Sequence, residues 1–253
     1  MGQGIVDISE YRAKRHRAGS IRWILVLVFF IVCLFAGYFF ARSDFFAVRQ
    51  FVVEGNSQIT DERIIELSGL HIGENIFSLT PAKVESWVKI EPCVKEVKVK
   101  RSLPGIVSIS VVERQAVAII DIGAAFVEID NTGRVLDRYR LVSSANLPLI
   151  SGVAVTEAIP GITVRGEGLE EALNILRSLP PDAEDIGEIN VANPQYIRLY
   201  TISGTEIRLG DSSGFADKYL VYSNILKDHK SNRGAALEYI DVSTRVPAVS
   251  TKN

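Results

Sequence analysis

Apolar and polar positions alternate most regularly in VKVKRSLPGIVSISVVER, Val97 to Arg114, on both sides of a Leu-Pro-Gly. Val97, Val99 and Arg101 fall on one face and Lys98 and Lys100 on the other; beyond the turn, Val107, Ile109 and Val111 oppose Ser108 and Ser110. Period-two alternation predicts a β-hairpin. Pro104 presets φ for the second turn position, and Gly105 suits the positive φ of a type II turn at the third. Each strand has one apolar face, so other elements must cover the hairpin.

The segment before it supplies that cover. FAVRQFVVEGN is a β-rich run closed by the turn pair Gly55-Asn56. TDERIIELSGL predicts a short helix with Thr60 as cap, Asp61 and Glu62 in the first turn, Ile64 and Leu67 on one face, and Gly69 at the stop. LTPAKVESWVKI predicts a second helix, with Thr80 as cap, Pro81 in the first helical position and Leu79 stapled to Val84. Its stripe is Val84, Trp87 and Val88, and Pro92 ends the segment. The expectation is a β-α-α-β-β unit over residues 45–114, two short helices on a three-stranded sheet. Trp87 and Val107 are expected in its core, and Trp87→Ala is expected to cost about 3–5 kcal/mol, as for a buried aromatic.

Ahead of this unit, WILVLVFFIVCLFAGYFFA carries no charge from Trp23 to Ala41. As a helix such a run crosses a hydrocarbon core of about 30 Å. Arg12, Lys14, Arg15, Arg17 and Arg22 precede it against only Asp7 and Glu10. The positive flank stays in the cytoplasm, so everything from Ser43 onward is placed outside. Ala41-Arg42-Ser43 also offers a small-x-small cleavage site. The apolar run exceeds a signal peptide's usual core of about 7–15 residues, which favours an uncleaved anchor. The division is then a basic cytoplasmic tail over 1–22, a transmembrane helix over 23–42, the β-α-α-β-β unit over 45–114 and a β-rich domain over 115–253.

That last region contains two predicted hairpins and two inserted helices. FVEIDNTGRVL turns at Asp-Asn-Thr-Gly, and YIRLYTISGTEIRLG sets Ile197 and Leu199 against Ile207 and Leu209. LEEALNILRSL spaces Leu169, Leu173, Leu176 and Leu179 as a helix stopped by Pro180-Pro181; FADKYLVYSNILKDH puts Phe215, Tyr219, Tyr222 and Leu226 on one face. The fold class is α+β. No Gly/Ser-rich linker separates the two exported parts, so they are expected to be coupled.

Charge and chemistry narrow the function. Removing the six basic and two acidic residues up to Arg42 leaves 22 basic and 28 acidic, a net charge of −6 outside the membrane. That balance argues against nucleic acid. Cys33 lies inside the apolar run and Cys93 beyond it, so the two cannot pair and the exported part does not depend on disulfides. Cys93 reads as a small buried apolar position, with a reactive thiol as the alternative. The three histidines, His16, His71 and His229, have no partner at metal-ligand spacing, and no HExxH, CxxC, GxSxG or SxxK is present. Glu128, Asp130 and Asp137 could form a carboxylate pair for glycan chemistry, but Asp130 opens a turn, a common structural task. No enzyme, cofactor or metal is expected. Lys95, Lys98, Lys100 and Arg101 form either a solvated face that discourages edge pairing or a dock for an acidic partner.

A strand ending in VVEGN, two helices and VKEVKVKRSLPGIVSISVVERQAVA together resemble a POTRA domain. The resemblance is closest to the one beside the membrane anchor in the FtsQ/DivIB family of bacterial cell-division proteins. FVEIDNTGRVL, LPLISG from Leu147 and EYIDVSTRVPAV near the C-terminus fit that family as well. The resemblance implies a non-enzymatic single-pass scaffold at the division septum. It would link early division proteins to FtsB or DivIC with FtsL, upstream of septal peptidoglycan synthesis. The runner-up is a POTRA-type chaperone or assembly factor of the cell envelope, which predicts several POTRA repeats and a β-barrel. The resemblance places the partner surface on the last strands, Tyr239 to Val249, with Tyr239, Asp241, Thr244 and Val249 as the individual residues. It also implies recruitment by upstream division proteins through the POTRA domain; the candidate surface there is the loop Glu54, Gly55, Asn56 and Ser57, the alternative being a turn needed only for folding.

Overall fold

The structure, a computed structural model, describes residues 8–123, 125–139, 147–155, 158–180, 183, 186–232 and 236–251. Pro181, the N-terminal residues up to Asp7 and the last two residues thus lie outside the described residues. The chain divides into two compact units. The first draws on Met1–Glu54, Asp61–Trp87 and Lys98–Ser110, and the second on Gly55–Thr60, Val88–Val97 and Val111–Asn253.

The first unit begins with helix α1, Ile8–Ala41, which extends the expected span backward through the basic segment. Its stretch Arg22–Ala41 is long and apolar enough to cross a membrane, and every residue from Arg22 to Phe40 is exposed. A single 3-10 turn, Asp44–Phe46, leads to β1, Gln50–Glu54. Helices α2, Asp61–Ser68, and α3, Pro81–Val88, precede β2, Val94–Ser102, and β3, Ile106–Glu113. The expected β-α-α-β-β order holds.

The sheet order is β1-β3-β2, with β1 parallel to β3 in the register Phe51↔Val107 and Val53↔Ile109. Val48, Ile64, Ile76, Leu79, Val84, Val99, Val107 and Ile109 are buried in this unit. Leu79 and Val84 are both covered, as the staple requires. Strand β2 is an edge, and Lys95, Lys98 and Lys100 stand exposed along it. Arg101 is exposed as well, and its guanidinium donates to the Leu79 carbonyl at 2.6 Å.

Two expectations fail here. Trp87 is 37% exposed. Its ring lies against Gly69 with the Lys83 ammonium 4.7 Å above it, at the rim of the helix pair. The buried stripe is narrower than the spacing predicts: Val84 and Val88 are covered, and Trp87 only flanks them. Emptying Trp87 leaves no closed cavity, so its removal costs less than the about 3–5 kcal/mol of a fully buried aromatic. The hairpin turn is also not type II. The Leu103–Pro104 peptide is cis, and Gly105 is not among the glycines of positive φ. Glycine is required there for space, because a Cβ would stand 2.4 Å from the Ala47 carbonyl oxygen.

The second unit is built on a nine-stranded sheet of order β12-β11-β10-β9-β8-β7-β4-β5-β6. These strands are β4 Ala118–Asp121, β5 Phe126–Ile129, β6 Val135–Tyr139, β7 Leu149–Ser151, β8 Ile186–Asn190, β9 Ile197–Thr201, β10 Glu206–Gly210, β11 Leu237–Asp241 and β12 Ala248–Thr251. Helices α4, Leu169–Ser178, and α5, Phe215–Asn232, supply Leu169, Ala172, Leu173, Ile175, Phe215 and Tyr222 to the core. They meet Ile150, Ile189, Leu199, Ile207 and Ile240 from the strands. Tyr219, Leu176, Leu179 and Leu226 pack partly buried at its margin. Both expected hairpins are present, with Leu199 opposite Ile207 and Glu128 opposite Asp137. The α+β class and the helix-on-sheet layering match the sequence pattern.

Candidate partner interface

The last two strands form the unpaired end of the nine-stranded sheet. Strand β11 runs parallel to β10, the crossover being α5, and β12 returns antiparallel to β11. The register pairs Tyr239 with Ser250, Ile240 with Val249, and Asp241 with Ala248, with a bulge between Leu237 and Tyr239. Leu237, Ile240 and Val242 are buried, which fixes which face of β11 meets the helices. Alternation then turns Tyr239 and Asp241 to the opposite face. Among the described residues no strand pairs with the outer side of β12, and Ala248, Val249 and Thr251 are exposed.

The other end of the sheet is treated differently. At β6, the Val135 amide donates to the Ile162 carbonyl at 2.9 Å and the Val135 carbonyl accepts from Gly161 at 2.8 Å. The Val164 amide donates to Gly133 at 2.9 Å. A loop therefore occupies the start of that edge, one of the usual ways to blunt it.

The four partner-binding candidates do not share one surface. Tyr239 and Asp241 lie side by side on the open face. Thr244 sits in the β11–β12 connection, its hydroxyl donating to the Val246 carbonyl at 2.9 Å. Val249 is paired with buried Ile240 and so points to the helix side, where its edge position leaves it exposed. Asp241 also shapes the connection, accepting from the Ser243 amide at 2.9 Å and hydroxyl at 2.6 Å.

Three residues of this face escaped the sequence reading. The Arg208 guanidinium lies 3.8 Å from the centre of the Tyr239 ring. Glu206 stands between Arg208 at 3.3 Å and Arg198 at 3.5 Å. Arg208 donates to the Glu206 carboxylate, and this hydrogen bond pushes the Arg208 pKa up. The signal for them was the alternation itself: in YIRLY and TEIRLG each arginine sits between two apolar core positions. This face offers an aromatic ring, two guanidiniums and two carboxylates beside an open backbone edge. Such a combination suits recognition of an added strand, main chain to main chain, with side chains setting specificity.

The recruitment candidates behave otherwise. Glu54 ends β1 and is exposed. Gly55 has φ of +86°, and a Cβ there would lie 2.2 Å from the Val111 carbonyl oxygen. In the second unit, Glu113 is 8% exposed and gathers the next residues. It accepts from the Ser57 amide at 3.0 Å and hydroxyl at 2.7 Å, the Gln58 amide at 3.0 Å and the Ile59 amide at 2.9 Å. Asn56 donates to the Ile59 carbonyl at 2.7 Å. Asn56 and Ser57 therefore shape the loop from within.

Asp130 is likewise occupied. It accepts from Thr132 and the Arg134 amide and from Arg114 Nη1 at 2.6 Å, while 3% exposed. This is the turn-opening role, and among the described residues no group of three or more His, Cys, Asp or Glu could hold a metal ion. Cys93 is half-buried; burial first, then the charges of Glu91, Asp137, Glu113 and Glu128, push its thiol pKa up, away from the nucleophilic thiolate.

Residues 46–114 match the model of the POTRA domain, FtsQ-type, and residues 118–243 match that of cell division protein FtsQ/DivIB, C-terminal. The chain is similar to cell division protein FtsQ of Syntrophotalea carbinolica, 29% identical over 84% of this chain and 76% of that protein. It is also similar to cell division protein DivIB of Clostridium botulinum, 24% identical over 96% of each chain. A solved structure of the major extracytoplasmic domain of DivIB from Geobacillus stearothermophilus covers 47% of this chain and 97% of that one, at 19% identity and a TM-score of 0.32.

Burial raises the Glu113 carboxyl, but the amide and hydroxyl donors outweigh it and hold its pKa below the ordinary range. A lowered native pKa stabilises the fold above the unfolded value and is lost as pH falls through the native one. Glu113→Gln is thus expected to cost about 1–3 kcal/mol at neutral pH, the range for unsettling a buried hydrogen-bonded group. The cost should shrink as pH drops below the ordinary carboxylate range, as measured by urea denaturation of the full chain in detergent across pH.

Proposed function

Because the chain belongs to the FtsQ/DivIB family of bacterial cell-division proteins, we propose that it is a non-enzymatic, membrane-anchored scaffold of the divisome. In this reading α1 is an uncleaved single-pass anchor with its N-terminus in the cytoplasm. The POTRA domain over 45–114 receives early division proteins, and the β-domain over 115–253 holds FtsB or DivIC with FtsL at the septum. Septal peptidoglycan synthesis lies downstream of that link.

The observation that carries the reading is the contrast between the two ends of the nine-stranded sheet. One edge is occupied by the chain's own loop at Val135, while β12 offers its outer backbone without a strand neighbour among the described residues. A partner strand added there would lie next to Val249, with Tyr239, Asp241, Arg208 and Glu206 on the adjoining face. Thr244 borders the same hairpin end.

Recruitment is assigned to the loop at Glu54, Gly55, Asn56 and Ser57. Glu54 can be changed without touching the Glu113 hydrogen bonds from Ser57, Gln58 and Ile59. Glu54→Lys should lower the fraction of protein at midcell in fluorescence microscopy, and unaltered localisation would remove this loop from recruitment. A chain ending at Arg245 would lose β12 while keeping β11. It is expected to retain its circular dichroism and to bind the FtsB/DivIC–FtsL complex at least about tenfold more weakly, about 1.4 kcal/mol. Undiminished binding by the folded truncation would place the surface elsewhere.

A further inference from the structure

Helix α1 does not end freely. Its last-turn carbonyl at Ala41 accepts from the Asn75 side-chain amide at 2.8 Å, which satisfies one of the acceptors a helix end leaves unpaired. The Asn75 side-chain Oδ1 accepts from the Phe77 amide at 2.9 Å, and the Ile76 amide donates to the Phe46 carbonyl at 2.9 Å. The loop before α3 is thereby tied to the end of α1 and to the turn that follows it, all within the first unit.

Four phenylalanines gather on these ties. Phe40 stacks on Phe45 at 5.6 Å and meets Phe46 edge-on at 5.3 Å; Phe46 meets Phe77 at 5.0 Å. Despite these contacts, Phe40, Phe45 and Phe77 remain 57%, 50% and 45% exposed. Beside them, the Arg42 guanidinium lies 4.9 Å from the Tyr38 ring centre. A groove of 490 Å³ opens here, lined by Tyr38, Ala41, Arg42, Asn75, Phe77 and Ser78. Its walls combine aromatic rings, one cation and polar groups, the chemistry of a phospholipid headgroup and the top of its acyl chains.

We propose that this aromatic collar seats the first unit in the interfacial layer of the bilayer that holds α1, with a phospholipid headgroup at Arg42 in the groove. The proposal rests on reading α1 as an uncleaved anchor. The occupant follows from chain continuity: Arg22–Ala41 at about 1.5 Å per residue spans about 30 Å. Ala41 then reaches the far boundary, and Phe45 follows within four residues, at the depth where amphipathic and aromatic side chains collect. Exposed rings that would be unfavourable in water are at home in that layer.

The test uses full-length protein in phosphatidylcholine–phosphatidylglycerol vesicles whose acyl chains are brominated close to the headgroup. Replacing the native tryptophans, Trp23→Phe and Trp87→Phe, and adding Phe77→Trp gives a single reporter; Phe45→Trp in the same background gives a second should the first misfold. A protein carrying only Trp87→Phe keeps Trp23 at the start of the span as a monitor of insertion. The expected result is blue-shifted emission and strong quenching of the collar reporters, together with quenching of Trp23. Water-like, unquenched collar emission in vesicles where Trp23 is quenched overturns the collar and leaves the anchor standing. An unquenched Trp23 overturns the anchor and the collar with it.

Discussion

A β-sheet presents unpaired backbone donors and acceptors along each of its two outermost strands, so a nine-stranded sheet must end twice. In this molecule the two ends have different solutions. At β6 the segment around Gly161–Val164 folds back and takes up the backbone groups of Gly133 and Val135. At β12 nothing comparable happens among the described residues. The apolar face of the sheet is buried beneath α4 and α5, which leaves the backbone edge and the polar face as the parts able to bind. An edge kept open in a folded protein is a liability unless something is meant to pair with it.

Local charge chemistry keeps the rest of the second unit in place. Glu113 collects the amides of residues 57–59, and Asp130 takes both its own turn and the Arg114 guanidinium. Both carboxyls are held below the ordinary range: hydrogen bonds outweigh the burial that would otherwise raise them, those from Thr132 leading at Asp130. These side chains work as fixed acceptors for backbone that has no strand partner, and Asp130, one of the carboxylates considered for glycan chemistry, is already committed in this way.

Much of this was legible in the chain because it depends on local periodicity. Alternation in Val97–Arg114 located β2 and β3, and Leu79 with Val84 marked the entry to α3. The errors arose where a third element decides. Trp87 has helical spacing with Val84 and Val88, yet only the course of α2 determines that its ring lies at the rim over Gly69. The Leu-Pro-Gly pattern alone suggests a turn φ at Gly105, whereas its constraint is the Ala47 carbonyl, nearly sixty residues earlier. At the candidate interface, Tyr239 and Asp241 could be read from alternation, but their pairing with Arg208 and Glu206 requires the parallel β10–β11 register across α5. The opposite facing of Val249 likewise follows only from the β11–β12 register.

The central claim is that β12 is the strand to which the division partner adds. Amide hydrogen exchange on the full-length protein, with and without the FtsB/DivIC–FtsL complex, addresses it directly. The account predicts that amides in Ala248–Thr251 exchange readily in the free protein and become protected when the complex binds. Formation of the complex with β12 exchange unchanged, and protection confined to other strands, would contradict it.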